Sequence, residues 1–326
     1  MKVSLIATVK DEAKSLRTLL DSIAVQTRLP DEVVICDGGS TDGTLDILLA
    51  ERRFPLCTLE RPGSTISQGR NAAITVTTGD VIASTDAGVR LDPRWLEKLM
   101  EGFNLAQPSS AARQEAVVSG FFLPEAHTPF EIAMGATVLP QPADVQPEKF
   151  LPSSRSVAFT KAAWQSVGGY PEWLDICEDL VFDLALLKKY RPFVFAPEAI
   201  AYFKPRSFLR SFFRQYYLYA RGDGKANLWL RRHLVRYATY LIAIPGIAIL
   251  SLFSPWFLLL YLAGAALYLK RPYQRLRPML SGLSLAGRLE AIGWVPIIRV
   301  TGDIAKMIGY PVGVRWRWQN RRGAVS

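Results

Sequence analysis

The stretch at residues 81–88, VIASTDAG, limits the possible folds more than any other part of the chain. A short apolar run closed by an acid and a glycine reads as a buried strand. Such a strand presents a side chain, here Asp86, at its carboxyl end. A second run, Val33-Val34-Ile35-Cys36, leads in the same way into Asp37-Gly38-Gly39-Ser40. Val3–Val9 is a third, β-branched run, and residues 56–59 a fourth. Helical patterns alternate with them. Leu16, Leu19, Leu20 and Ile23 share one face, a helix runs through Ser67-Gln68-Gly69-Arg70-Asn71, and Asp92-Pro93 opens another. This alternation predicts an α/β fold with a doubly wound, mostly parallel sheet. Right-handed crossovers bring all the parallel carboxyl ends to one edge, so Asp37 and Asp86 should share a crevice. No GxGxxG follows the first strand, which disfavours a dinucleotide site. Thr41-Asp42-Gly43-Thr44 opens a helix, and Asp42 fits a cap as well as a ligand contact.

The second half changes character. Residues 116–122 read as a strand. Residues 123–156 read as an irregular, proline-rich segment holding His127, Phe130 and Phe150. Val157-Ala158-Phe159 is a strand, a helix follows over 161–167, and residues 192–196 and 200–203 read as two closing strands. Cys177-Glu178-Asp179 opens a helix carrying Leu180, Leu184 and Leu187. The helix dipole favours acids there, so for Glu178 and Asp183 a structural reading competes with a functional one.

With a net charge of +10 over 326 residues, the chain calls for an anionic partner. Much of the excess lies beyond Arg206, beside apolar sequence, which points to a membrane. No RRM, KH or OB pattern supports nucleic acid. Residues 237–269 carry no charge and are divided by Pro245 and Ser254-Pro255. Arg231, Arg232 and Arg236 precede this run, and Lys270, Arg271, Arg275 and Arg277 follow it. That arrangement predicts a transmembrane or re-entrant helical hairpin over 233–272 with both ends in the cytoplasm. Residues 283–307 read as one or two amphipathic helices at the interface, and Arg315-Trp316-Arg317-Trp318, with Arg321 and Arg322, suits lipid headgroups. The three cysteines, Cys36, Cys57 and Cys177, form no CxxC and read as reduced thiols. The opening MKVSLIATVK reads as a strand and not as a signal peptide, which places the first half in the cytoplasm.

Four strings, TVKDEAKSL, CDGGSTDGT, GRNAA and TDAGVRLDPRWL, together resemble the successive motifs of family 2 glycosyltransferases with the GT-A fold, of the membrane-associated bacterial type. The resemblance covers roughly the first two thirds of the chain. It implies a glycosyltransferase domain over 1–205, with a nucleotide-binding half at 1–106 and an acceptor half at 107–205. A basic, aromatic helical segment at 206–232, the hairpin at 233–272 and an interfacial tail at 273–326 complete the expected organisation.

The same resemblance implies Thr8 and Glu12 near the base or ribose, Asp37 on the base and Arg70 near the pyrophosphate. Asp86 falls where the family holds Mg²⁺ or Mn²⁺ with a DxD pair. This chain reads Asp86-Ala87-Gly88, so the second acid is absent. Where family members often carry a metal-binding histidine, Tyr202 or Lys204 stands. GGYPE followed by EDLVFDLAL resembles the acceptor motif, which implies Asp179 as general base and Glu178 as the weaker candidate. RSFLRSFFRQYYLYARG implies Arg214, Gln215 and Arg221 as diphosphate or acceptor contacts. The implied reaction is inverting transfer from a nucleotide-diphosphate sugar to a hydroxyl at the cytoplasmic membrane face. The membrane segment points to a lipid-linked or polyprenyl-phosphate acceptor. Two other readings stay open: a nucleotidyltransferase, and a non-catalytic membrane-bound nucleotide-sugar or lipid-binding protein.

Overall fold

The computed structural model describes residues 1–105, 117–190 and 192–320. Arg321 and Arg322 of the basic tail lie outside them. The chain divides into two compact units, Met1–Glu125 with Pro142–Lys204, and Ala126–Gln141 with Pro205–Ser326.

The first unit is built on an eight-stranded sheet of order β3-β2-β1-β4-β7-β6-β8-β5. The strands are β1 (Val3–Val9), β2 (Glu32–Asp37), β3 (Leu56–Glu60), β4 (Val81–Ser84), β5 (Val89–Leu91), β6 (Val117–Pro124), β7 (Val157–Thr160) and β8 (Val194–Phe203). The half formed by β3, β2, β1 and β4 is parallel; β7 then runs antiparallel to both β4 and β6. Alternate residues of these strands feed two cores, as the pleat requires. Leu5, Val33, Ile35 and Ala83 face Leu16, Leu19 and Ile23 of α1 (Ala13–Ala24) and Trp95 and Leu99 of α4 (Trp95–Leu105). Ile6, Val34, Cys36 and Ile82 face Ala73 and Ile74 of α3 (Ile66–Val76) and Phe182 and Leu186 of α7 (Glu178–Lys189). Trp95 is fully buried, and its indole N–H donates to the Ser156 hydroxyl at 2.8 Å. That hydroxyl in turn donates to the Ala199 carbonyl at 2.7 Å.

The parallel register does what the alternation predicted. Val9 pairs with Asp37, and Ile6 pairs with Ser84, the last residue of β4. Asp37 and the segment carrying Asp86 therefore leave the sheet on the same edge, on either side of β1.

Two expectations for the acceptor half change. In place of the two strands expected over 192–196 and 200–203 there is one, β8 (Val194–Phe203). Pro197 cannot donate to the ladder, and pairing with β6 absorbs it through a register shift at Ser119 and Phe121 instead of breaking the strand. The supposedly irregular 123–156 segment contains α5 (Pro129–Val138). Thr128 caps it, Glu131 closes a reciprocal capping box, and Pro129 occupies the first turn.

The second unit gathers α5 with α8 (Leu209–Lys225), α9 (Leu230–Ala238), α10 (Ile244–Phe253), α11 (Leu258–Leu276) and α12 (Leu285–Asn320). A π-helical turn, Thr239–Ala243, joins α9 to α10. The joined helix Leu230–Phe253 is long and apolar enough to cross a membrane, with mean hydropathy 1.6 and none of its apolar window buried. Ser254 is extended and Pro255 follows, so the chain turns back into α11. The Tyr261 hydroxyl donates to the Ile244 carbonyl at 2.5 Å, and Tyr240 meets Tyr268 hydroxyl to hydroxyl at 3.0 Å. Within the stretch expected to form a hairpin, the joined helix and α11 are thus folded on each other. From Leu285 on, the stretch 283–307 that read as one or two amphipathic helices is part of the single long helix α12. One face, including Ala291, Val295 and Ile298, is buried with Phe130 and Met134 of α5 and Phe212 of α8.

Candidate active site

The loop after β2 is organised by Asp37. Its carboxylate accepts the backbone N–H of Gly39 at 3.1 Å, that of Ser40 at 3.0 Å, and the Ser40 hydroxyl. Gly39 sits at φ +91, where a side chain would be strained and would also crowd Pro62. Asp37 is 2% exposed, so this side chain shapes the loop from within. Asp42 behaves as a cap: it accepts the N–H of Ala13 at 3.0 Å and of Thr44 at 3.1 Å. The Thr44 hydroxyl bond is the first cause holding its carboxyl below the usual range. Glu12 receives the Ser15 hydroxyl, and its own N–H donates to the Thr44 hydroxyl at 2.8 Å. Thr8 is half-buried on β1 and touches the opening turns of α3.

Arg70 is the hub of the site. A capping box between Thr65 and Gln68 starts α3, and Gly69 lets the helix lie against β1. A Cβ at Gly69 would come within 2.9 Å of Thr8 Cγ2, which explains why no side chain fits there. Arg70 then points into the protein, 3% exposed. Its guanidinium donates to Asp86 Oδ1 at 2.8 Å and to Glu178 Oε1 at 2.9 Å. It also lies 5.2 Å from the centre of the Tyr170 ring. Burial opposes the charge, but Asp86 and the other nearby acids more than restore it. Arg70 therefore ties the end of β4 to the start of α7.

Three acids crowd that helix start. Burial pushes the Glu178 carboxyl up, against the pull of Arg70. Asp183 is 2% exposed, and burial followed by the neighbouring Asp179 pushes its carboxyl well above the ordinary range. Asp179 differs in being half-buried, with Oδ1 accepting the Leu180 N–H at 2.8 Å. Cys177 adopts the left-handed region at φ 64, which turns the chain sharply into the helix.

The sequence reading missed Arg155. This residue lies just before β7, with its Nε 3.7 Å from Asp86 Oδ2. The guanidinium stacks 4.7 Å over Phe203, and the backbone carbonyl accepts the Thr85 hydroxyl at 3.1 Å. Nothing in Ser153-Ser154-Arg155-Ser156 marks a motif; only tertiary packing brings Arg155 beside Asp86. Arg214, Gln215 and Arg221 lie on α8 in the second unit, where the Gln215 amide donates to the Tyr219 hydroxyl at 2.7 Å.

The side chains present do not fit a carboxylate-held divalent cation. One Asp86 oxygen is bonded to Arg70 and the other faces Arg155. Gly88 offers no ligand, and Tyr202 lies under the Arg90 guanidinium at 4.2 Å. Among the described residues no group of three His, Cys, Asp or Glu side chains could hold a metal ion.

Residues 4–153 match the family model described as glycosyl transferase family 2. The chain carries a family 2 glycosyltransferase domain. Curated relatives are 27–32% identical over 101–133 residues, and the chain spans 38%, 29% and 39% of their lengths. One is the undecaprenyl-phosphate 4-deoxy-4-formamido-L-arabinose transferase of Serratia proteamaculans, 28% identical, aligned over 35% of this chain and 39% of its own. Among solved structures, the mannosyltransferase PcManGT from Pyrobaculum calidifontis, in complex with GDP-Man and Mn²⁺, superposes with TM-score 0.52 at 19% identity, covering 97% of this chain and 86% of that one. TarS residues 1–349 from S. aureus, in complex with UDP-GlcNAc, gives TM-score 0.51 at 16% identity, covering 98% and 92%. The family 2 domain thus has the GT-A fold that its motifs implied.

Proposed function

We propose that the chain is an inverting glycosyltransferase that moves a sugar from a nucleoside-diphosphate donor to an acceptor hydroxyl. The observation that carries this reading is the bridge from Asp86 through Arg70 to Glu178. It sets the Glu178-Asp179 pair beside the sheet edge where β2 and β4 end. Donors of this class in two structural neighbours, GDP-Man and UDP-GlcNAc, support it.

Glu178 is occupied by Arg70, so the role of base falls to Asp179. As the acceptor oxygen attacks the anomeric carbon, its proton passes to the Asp179 carboxylate and the bond from that carbon to the diphosphate oxygen breaks. Thr8, Glu12 and the loop held by Asp37 are assigned to the nucleoside. Arg214, Gln215 and Arg221 are assigned to the diphosphate or acceptor on the family resemblance alone. The helical hairpin is assigned to a membrane, with the family 2 domain on its cytoplasmic side. A lipid-linked acceptor is favoured by the Serratia relative, whose name carries undecaprenyl phosphate; a hydroxyl on such a lipid gives its proton to Asp179, whereas a lipid phosphate oxygen is already ionised and would attack without a base.

The Asp179→Asn enzyme should transfer sugar about a hundredfold or more slowly while binding the nucleoside diphosphate within about twofold of wild type. Transfer at the wild-type rate would remove Asp179 from the mechanism.

A further inference from the structure

The pairing of Asp86 with two arginines has its own consequence. Arg70 and Arg155 meet opposite oxygens of one carboxylate. Their circumstances differ. The Arg70 side chain is 4% exposed and already has a second acid in Glu178, so its charge is answered inside the protein. The Arg155 side chain is 26% exposed and Asp86 is 32% exposed, so this pair opens to solvent at the sheet edge. At 3.7 Å the Arg155–Asp86 contact is a loose ion pair, longer than a charge-assisted hydrogen bond. Phe203 and Phe122, 4.7 and 5.9 Å from the guanidinium carbon, hold the Arg155 head in place from one side. The Ser153 hydroxyl accepts from its Nη1 at 3.2 Å. The result is a preorganised cation with donor capacity to spare, held next to the acid at which the family resemblance would put a metal.

We propose that Arg155 meets the diphosphate of the donor directly, and that Asp86 serves to position Arg155 and Arg70 instead of ligating a divalent cation. A planar guanidinium matches two phosphate oxygens at once, which suits it to a leaving diphosphate. Arg155 thus supplies the positive charge that the developing leaving group needs. The missing acid at Gly88 and the arginine-covered Tyr202 follow from the same cause, because neither position has a cation to hold.

This inference rests on the donor-site reading above, and the experiment separates the two. The full-length detergent-solubilised protein is titrated calorimetrically with UDP and with GDP, once in EDTA and once in Mn²⁺. Uridine and guanosine are run beside them. The expected result is that the better diphosphate binds in EDTA within about threefold of its affinity in Mn²⁺. Arg155→Ala should weaken that diphosphate about tenfold to a hundredfold and leave the matching nucleoside unchanged. Arg155→Lys should recover part of the loss, and a matched melting temperature would show that each variant is folded. Binding that appears only with Mn²⁺ overturns the inference while leaving the donor site intact. Unchanged diphosphate affinity in Arg155→Ala overturns it as well. If neither diphosphate binds under either condition, the donor-site reading falls and this inference falls with it.

Discussion

Asp183 shows how one buried acid ties the candidate site to stability. It carries no ion-pair partner among the described residues, and Oδ2 lacks a hydrogen bond. Burial raises its proton affinity far above that of a free aspartate. In the unfolded chain the same group ionises near pH 3.9. Between that value and the raised folded one, the folded state holds a proton that the unfolded state has released. Stability therefore declines as pH rises through this window, by up to about 1.4 kcal/mol per pH unit for one proton. Asp183→Asn removes the titration with little change in shape. Its melting temperature minus that of wild type should grow from pH 5 to pH 7.5, and parallel curves would show that Asp183 is ionised when folded. At this scale Asp86 and Asp37 were legible, because acids that close apolar runs break a local pattern, whereas the Glu178-Asp179 pair stood out only through the family resemblance, since acids are ordinary at a helix start. Arg155 was not legible, since its partners are remote in the chain and no period announces it.

Helix-level packing turns on three glycines where α8 crosses α12. A Cβ at Gly224 would come within 2.3 Å of the Tyr310 carbonyl oxygen, one at Gly309 within 2.2 Å of that of Tyr217, and one at Gly313 within 2.0 Å of that of Arg221. These are backbone atoms, so relief requires the helices to separate. Gly313→Ala should cost about 1–3 kcal/mol, read as a lower melting temperature. Gly293 lies on the same helix with nothing near its missing Cβ. Gly293→Ala should be neutral or stabilising by up to about 1 kcal/mol, since it restricts the unfolded chain. Equal effects at both positions would discount the close crossing. The alternation of strands and helices in the first unit could be read from periodicity, but the strand order could not, since it depends on pairing between distant segments. α5 could also have been found, because Thr128-Pro129-Phe130-Glu131 is a helix-start signature hidden among prolines. The extent of α12 could not, because Pro296 and Pro311 look like helix breakers and are tolerated within it.

Among the described residues, the most exposed large apolar side chains lie at the turn of the hairpin. Leu252, Phe253 and Trp256 are 85%, 82% and 78% exposed, the signature of a surface that meets something other than water. Replacing Phe253 with Asp should cost up to about 3 kcal/mol of insertion and release the protein from liposomes in a flotation assay. Co-flotation equal to wild type would argue against insertion of that tip. The hairpin was visible in the sequence because an uncharged run with basic flanks depends on composition alone. The membership of α5 in the second unit was not, because it depends on contacts between distant segments.

That membership bears on how the protein can be dissected. The chain leaves the first unit after Glu125, contributes α5 to the second, returns at Pro142 and leaves again after Lys204. A protein trimmed at Lys204 would still contain Phe130, Ala133 and Met134, but would have discarded the helices that cover them. A fragment holding the family 2 domain alone therefore has to be made by excising two pieces, with a short linker spliced between Glu125 and Pro142.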